Sequence, residues 1–242
     1  MTRFLASVRD AEEAELALEA GADIIDLKEP NRGALGAVDE KTVELCVRAV
    51  AGRACVSATI GDLPMHAPTL REALRHHDGS GVDFVKLGIF PDRDAERALL
   101  ALADKPRDRL ILVVFADALP SFDAGAIAAR LNAKGVMLDT MSKGSGSLPD
   151  HLSLHLLAGF VATAKTHGLM VGLAGSLRTE HVEPLLALRP DLLGFRGALC
   201  RDGVRGASLD RAACDAMRCL IPTSEPRLPK ARFAEISSSA LC

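Results

Sequence analysis

Two lysines in this sequence sit in runs that otherwise read as buried strands, Lys28 at the end of DIIDLK (23–28) and Lys86 within DFVKLGI (83–89). Strand alternation sends Ile25 and Leu27 to one side and Ile24, Asp26 and Lys28 to the other. The same rule puts Phe84 and Lys86 opposite Val85 and Leu87. In GVMLDT (135–140) Asp139 shares the inward side with Met137, and in LLGFRGA (192–198) Arg196 alternates with outward Phe195. One strand-end lysine ordinarily snorkels to the surface. Inward charges at one end of several strands must instead pair with each other or with a ligand, because an isolated buried charge is very costly. Neighbouring lysines have a specific chemical use. A lysine with an ordinary pKa of about 10.4 is neutral in only about one molecule in 2,500 at pH 7. Bringing that value to about 7 takes roughly 4–5 kcal/mol, which desolvation and a second cation can supply. The neutral amine attacks a carbonyl, and the resulting iminium is an electron sink that permits aldol-type bond formation or elimination. The chain has no Tyr, so proton transfer falls to Asp, Lys, His or water, with Asp26 and Asp139 as the candidate carriers.

The elements that must position these groups follow from hydrophobic period. Eight β-rich runs, RFLASV (3–8), DIIDLK (23–28), ACVSATI (54–60), DFVKLGI (83–89), RLILVVFA (109–116), GVMLDT (135–140), LMVGLAG (169–175) and LLGFRGA (192–198), alternate with stretches of helical period. Helical stretches such as DAEEAELALEAGA, DRDAERALLALADK and DAGAIAARLNAKG open on Asp, a good N-cap. Eight strand–helix units predict an α/β chain folded as a single (β/α)8 TIM barrel over residues 1–221. An open nucleotide-binding sheet would want a glycine-rich turn after its first strand, where SVRDAEEAE has none. Residues 222–242, rich in Pro and Ser, read as a short C-terminal tail.

In such a barrel chemistry sits at the C-terminal strand ends, and the loops after strands seven and eight commonly hold phosphate. Gly175 and Ser176 in LAGSLRTEH, with Arg196 and Gly197 in FRGALC, are the candidate phosphate ligands, through backbone N–H groups and a charged fork. Lys143, in the glycine-rich TMSKGSGSLP, could close over a ligand.

Composition excludes other classes. A net charge of −3, no basic run and no Trp or Tyr argue against a nucleic-acid partner. The longest apolar runs are far shorter than a membrane span and the N-terminal stretch turns acidic, so a soluble, cytoplasmic chain with no membrane partner is expected. Six scattered cysteines without zinc spacing read as thiols in a reducing compartment, and neither metal nor cofactor is implied. Homo-oligomer formation is left open. The residues alone fit a lysine-dependent lyase, a class I aldolase acting on a phosphorylated sugar, or a non-catalytic barrel that binds a phosphorylated metabolite.

The segments DLKEPNRGALGA, VSATIGD, FVKLGI, MLDT, GLAGSL and FRGALC, in this order from residue 3 to about 219, closely resemble the (5-formylfuran-3-yl)methyl phosphate synthase family. The resemblance implies a Schiff-base enzyme that condenses two molecules of glyceraldehyde 3-phosphate into a furan aldehyde phosphate, with loss of phosphate and water. That product is a precursor of the furan in methanofuran-type one-carbon carriers. By motif, Lys28 matches the Schiff-base lysine with Asp26 two residues before it. Lys86 matches the family's second lysine, Asp139 the acid of its LDT motif and Lys143 a further lysine in the following loop.

Overall fold

Eight parallel strands hydrogen-bond in sequence order and close on themselves. They are β1 (Arg3–Val8), β2 (Ile24–Leu27), β3 (Cys55–Thr59), β4 (Phe84–Gly88), β5 (Leu110–Phe115), β6 (Gly135–Asp139), β7 (Met170–Leu173) and β8 (Leu192–Phe195). Closure is made by β1, which pairs with β2 on one side and aligns Arg3–Ala6 with Leu192–Phe195 of β8 on the other. The helices outside are α1 (Ala11–Glu19), α2 (Glu40–Val50), α3 (Ala67–Arg75), α4 (Ala95–Leu100) and α5 (Ala124–Arg130), followed by α6 (Leu148–His151), α7 (Leu154–Thr166), α8 (Val182–Ala187) and α9 (Arg211–Leu220). The (β/α)8 barrel expected from the sequence is therefore present. This computed structural model describes residues 1–142 and 144–222, so Lys143 and the tail from 223 onward lie outside the described residues. Among the described residues no helix is long and apolar enough to cross a membrane.

Alternation along the strands builds two apolar layers. Ile25, Leu27, Val85, Leu87, Val136 and Leu138 pack outward against the helices, while Ile24, Ile111, Val113, Phe115 and Met137 fill the barrel interior. Each fully buried aliphatic side chain contributes roughly 1.5–3 kcal/mol. Asp10, Asp39, Asp123 and Asp210 cap their helices by accepting the N–H of Glu13, Thr42, Ala126 and Ala213, each cap stabilising by about 1 kcal/mol. Asp94 departs from the pattern: it makes no side-chain cap on α4.

The interior is not evenly filled. On β5 the inward residues are Ile111, Val113 and Phe115. Above them Leu35 reaches in from the loop after β2, held by Asp62, whose two carboxylate oxygens accept the N–H of Ala34 and Leu35 at 2.7 Å each. Leu35, Phe90 and Phe115 converge so tightly on β4 that a Cβ at Gly88 would meet all three within 3.1 Å. On β7, just beyond it and on β8 the inward positions include Gly172, Ala174 and Gly194, and Met137 packs against the two glycines. A Cβ at either glycine would lie 3.0 Å from the Met137 side chain.

Candidate active site

The small residues of β7 and β8 leave a cavity of about 450 Å³ at the C-terminal end of the barrel, within the usual size range of small-ligand sites. Asp26, Lys28, Lys86, Asp139, Gly175, Ser176, Arg196 and Gly197 all line it. Residues as far apart in sequence as Asp26 and Gly197 thus meet in one space because their strands end at one rim.

Two lysine–carboxylate pairs cross the barrel at different depths. Lys28 Nζ donates to Asp139 Oδ2 at 3.2 Å, joining β2 to β6. Lys86 Nζ lies 2.5 Å from Asp26 Oδ1, joining β4 to β2. Side-chain exposures of 8% and 7% for the first pair against 3% and 1% for the second make Lys28–Asp139 the outer pair and Lys86–Asp26 the inner one. Lys28 is therefore partnered across the barrel rather than by the aspartate two residues before it. Asp26 is held from three directions, with Ser7 Oγ donating at 2.9 Å and Ser57 Oγ at 2.6 Å in addition to Lys86. Asp139 Oδ1 accepts the N–H of Thr140 at 2.7 Å, which fixes the carboxylate against its own backbone. Burial pushes the Lys86 ammonium below its ordinary value; Asp26 opposes that and the nearby Lys28 charge adds to it. Removing one member of a buried pair of this kind typically costs about 3–5 kcal/mol.

The other side of the cavity is lined by backbone. Gly175 has φ +107° and Ser176 φ +47°, a left-handed pair at the start of the loop after β7. Across from it, Gly197 and Ala198 begin a short 3₁₀ turn after β8. Among the described residues, the N–H groups of Gly175, Ser176, Leu177, Gly197 and Ala198 find no protein acceptor. Successive N–H groups of this kind form an anion-binding concavity.

One reading of this region needs correction. Arg196 does not offer a fork to a phosphate. Its Nε donates to the Arg205 carbonyl, one terminal nitrogen to the Ser7 carbonyl and Glu13 Oε2, and the other to Glu13 Oε1 and the Ala207 carbonyl, which uses all five N–H donors. Burial raises the Glu13 carboxyl, but Arg196 and Arg9 outweigh it and hold the group below its ordinary value. Gly175 owes its identity to a close approach within the protein. A Cβ there would sit 2.9 Å from Thr140 N, so any side chain would push the β6 and β7 loops apart whether or not a ligand is present.

Sequence reasoning missed Ser7, Ser57, Glu13 and Arg205. Ser7 and Ser57 occupy inward positions of RFLASV and ACVSATI, so the alternation that found Asp26 could have found them. Glu13 sits in DAEEAE, which has the composition of a solvated helix face. Arg205 also lines the cavity but belongs to an irregular loop.

A sequence profile of the 4-HFC-P synthase family matches residues 4–218, nearly the whole barrel. The chain belongs to this family. A relative from Methylorubrum extorquens is 44% identical over 223 residues, 89% of this chain and 92% of its own. The (5-formylfuran-3-yl)methyl phosphate synthase of Methanothermobacter thermautotrophicus is 34% identical, covering 89% of this chain and 95% of its own. That of Methanocaldococcus jannaschii is 35% identical, covering 84% and 92%. Among solved structures, phosphoribosyl anthranilate isomerase from Thermus thermophilus superposes with a TM-score of 0.62 at 18% identity, covering 90% of this chain and 98% of its own. At that identity the likeness shows a shared barrel and nothing finer. The resemblance drawn from the motifs and the family match therefore agree.

Proposed function

We propose that this member of the 4-HFC-P synthase family condenses two molecules of glyceraldehyde 3-phosphate into (5-formylfuran-3-yl)methyl phosphate by way of a Schiff base on Lys28. The observation that carries the reading is the stacking of two lysine–carboxylate pairs beside a bank of unbonded N–H groups in one cavity. Lys28 is the nucleophile because it belongs to the outer pair, where a substrate carbonyl can reach it. Asp139, 3.2 Å away, takes the ammonium proton and later returns one to the departing hydroxyl. The inner pair serves the outer one. Lys86, whose own ammonium is disfavoured by burial and by the Lys28 charge, lies beneath Lys28, and Asp26, clamped by Ser7 and Ser57, fixes its position.

The iminium withdraws electrons from the adjacent carbon, which loses a proton to give the enamine. The enamine carbon attacks the carbonyl of the second triose. Loss of one phosphate and two waters in all then closes and aromatises the ring, so the atoms of two trioses balance against the furan. Gly175, Ser176, Leu177, Gly197 and Ala198 hold one phosphate through their N–H groups, which face the ligand without needing a side chain. Lys143 follows Asp139 in the chain and is assigned to the same chemistry. Its product feeds the furan of methanofuran-type one-carbon carriers in the cytoplasm.

The test is incubation with glyceraldehyde 3-phosphate and identification of the product by ultraviolet absorption and mass. The furan aldehyde phosphate is expected. An open-chain sugar phosphate would make the protein a class I aldolase, and binding without turnover would make it a carrier.

A further inference from the structure

Among the described residues, half-buried Arg205 is a cation without an acidic partner in a cavity where the buried charges are matched. It lines the same cavity as Lys28 and Lys86. One terminal nitrogen donates to the Pro30 carbonyl at 2.7 Å and the other to the Gly33 carbonyl at 3.1 Å, which places the guanidinium across the mouth against the loop after β2. Of its five N–H donors these two are used, and among the described residues the remaining three meet no acceptor and no carboxylate forms an ion pair with it. Burial draws the group below its ordinary value and Arg196 adds to that, while Asp139 and Asp62 oppose from a distance. The loop that carries it is not loose. Arg196, locked to Glu13, grips the backbone carbonyls of Arg205 and Ala207 from behind. Glu13, Arg196 and Arg205 thus form a chain of braces from α1 to the rim opposite the β7 loop.

The reaction proposed above brings two phosphates into one cavity, and the backbone N–H groups of the β7 and β8 loops account for one. We infer that Arg205 is the seat of the second phosphate, that of the triose which does not form the Schiff base. This rests on the proposed reading. Arg205 supplies a forked, charge-assisted donor set at the rim, and its contacts to Pro30 and Gly33 hold the fork in place before substrate arrives. Selection of a phosphorylated second triose follows, since no other described cation at this rim lacks a carboxylate partner.

The experiment separates one-triose from two-triose events in the wild type, Arg205→Gln and Arg205→Lys. Borohydride trapping reads the first triose alone, and furan formation reads both. In Arg205→Gln the half-saturating triose concentration for trapping should stay within about twofold of wild type, while that for furan formation should rise about 10- to 100-fold. Arg205→Lys, which keeps a cation at the rim, should fall between. An unchanged concentration dependence of furan formation in Arg205→Gln overturns the inference. So do equal losses in trapping and furan formation in both variants, which would make Arg205 a brace of the mouth. Should the wild type make no furan at all, the furan-synthase reading fails and inorganic phosphate judges the seat by titration calorimetry. Two ions bound per chain in wild type and one in Arg205→Gln keep it; equal stoichiometry removes it.

Discussion

The two halves of the barrel mouth use the same strand geometry and do opposite things. On the β4–β5 side, Ile111, Val113 and Phe115 point inward and Leu35 drops onto them from the loop after β2, so the interior is shut. On the β7–β8 side Met137 and Leu192 take the space beside Gly172, but above them Ala174 and Gly194 line the cavity that holds both lysines. The polar groups did not open that space by themselves, since Lys86 is rooted on β4 and reaches across to Asp26. What decides the location of the site is the size of inward side chains on two strands.

The sharpest way to break this comparison is to disable the chemistry of the open half without altering its shape. Asp139→Asn should lower turnover about 10²- to 10⁴-fold by removing the proton partner of Lys28, with triose still protecting the protein in thermal shift. Steady-state rates beside melting temperatures check this, and near-normal turnover would hand the proton to another group. Next in size is a pair of volume changes. Gly194→Leu fills the open half and should cost about 10²-fold in turnover, because its Cβ alone would come within 3.0 Å of Met137. Ile111→Ala hollows the closed half and should cost about 2–5 kcal/mol of stability, with turnover at a permissive temperature little changed. Equal kinetic losses in the two variants, measured together with denaturant unfolding, would show that the halves are not functionally distinct.

The smallest effect concerns the brace behind the open rim. Glu13 is held below its ordinary carboxyl value in the folded state, so the unfolded chain binds the proton more readily. The stability it contributes is complete above about pH 4.5 and is lost as pH falls through its lowered folded value. Glu13→Gln should therefore destabilise the protein at pH 7 and destabilise it less, relative to wild type, near pH 3. Urea midpoints at the two pH values check the sign. A constant difference would mean that Glu13 acts through shape alone.

Much of this was legible in the sequence, and the reasons differ by residue. The first strand runs from Arg3 to Val8 as read, and alternation correctly turned Ile25, Leu27, Val85 and Leu87 outward. Period two is a local property, so it survives into the fold. The pairing of Lys28 with Asp139 was not legible, because 111 residues separate them and their meeting depends on how the strands cross the barrel. Arg196 misled for a related reason: its position was right, but its partner Glu13 lay hidden in a segment with the composition of an exposed helix. The close approach of Gly175 to Thr140 in a neighbouring loop was not legible either, since the two residues lie on loops after different strands. Leu35 sits between glycines in GALGA, where nothing local marks it as a plug.

The claim on which the rest depends is that Lys28, and no other lysine, bonds to substrate. Borohydride reduction in the presence of glyceraldehyde 3-phosphate, followed by peptide mass mapping, tests it directly. The account predicts a triose-derived adduct on the peptide carrying Lys28, lost in Lys28→Met and kept in Lys86→Met. An adduct on Lys86 or Lys143, or none while the furan still forms, would contradict it.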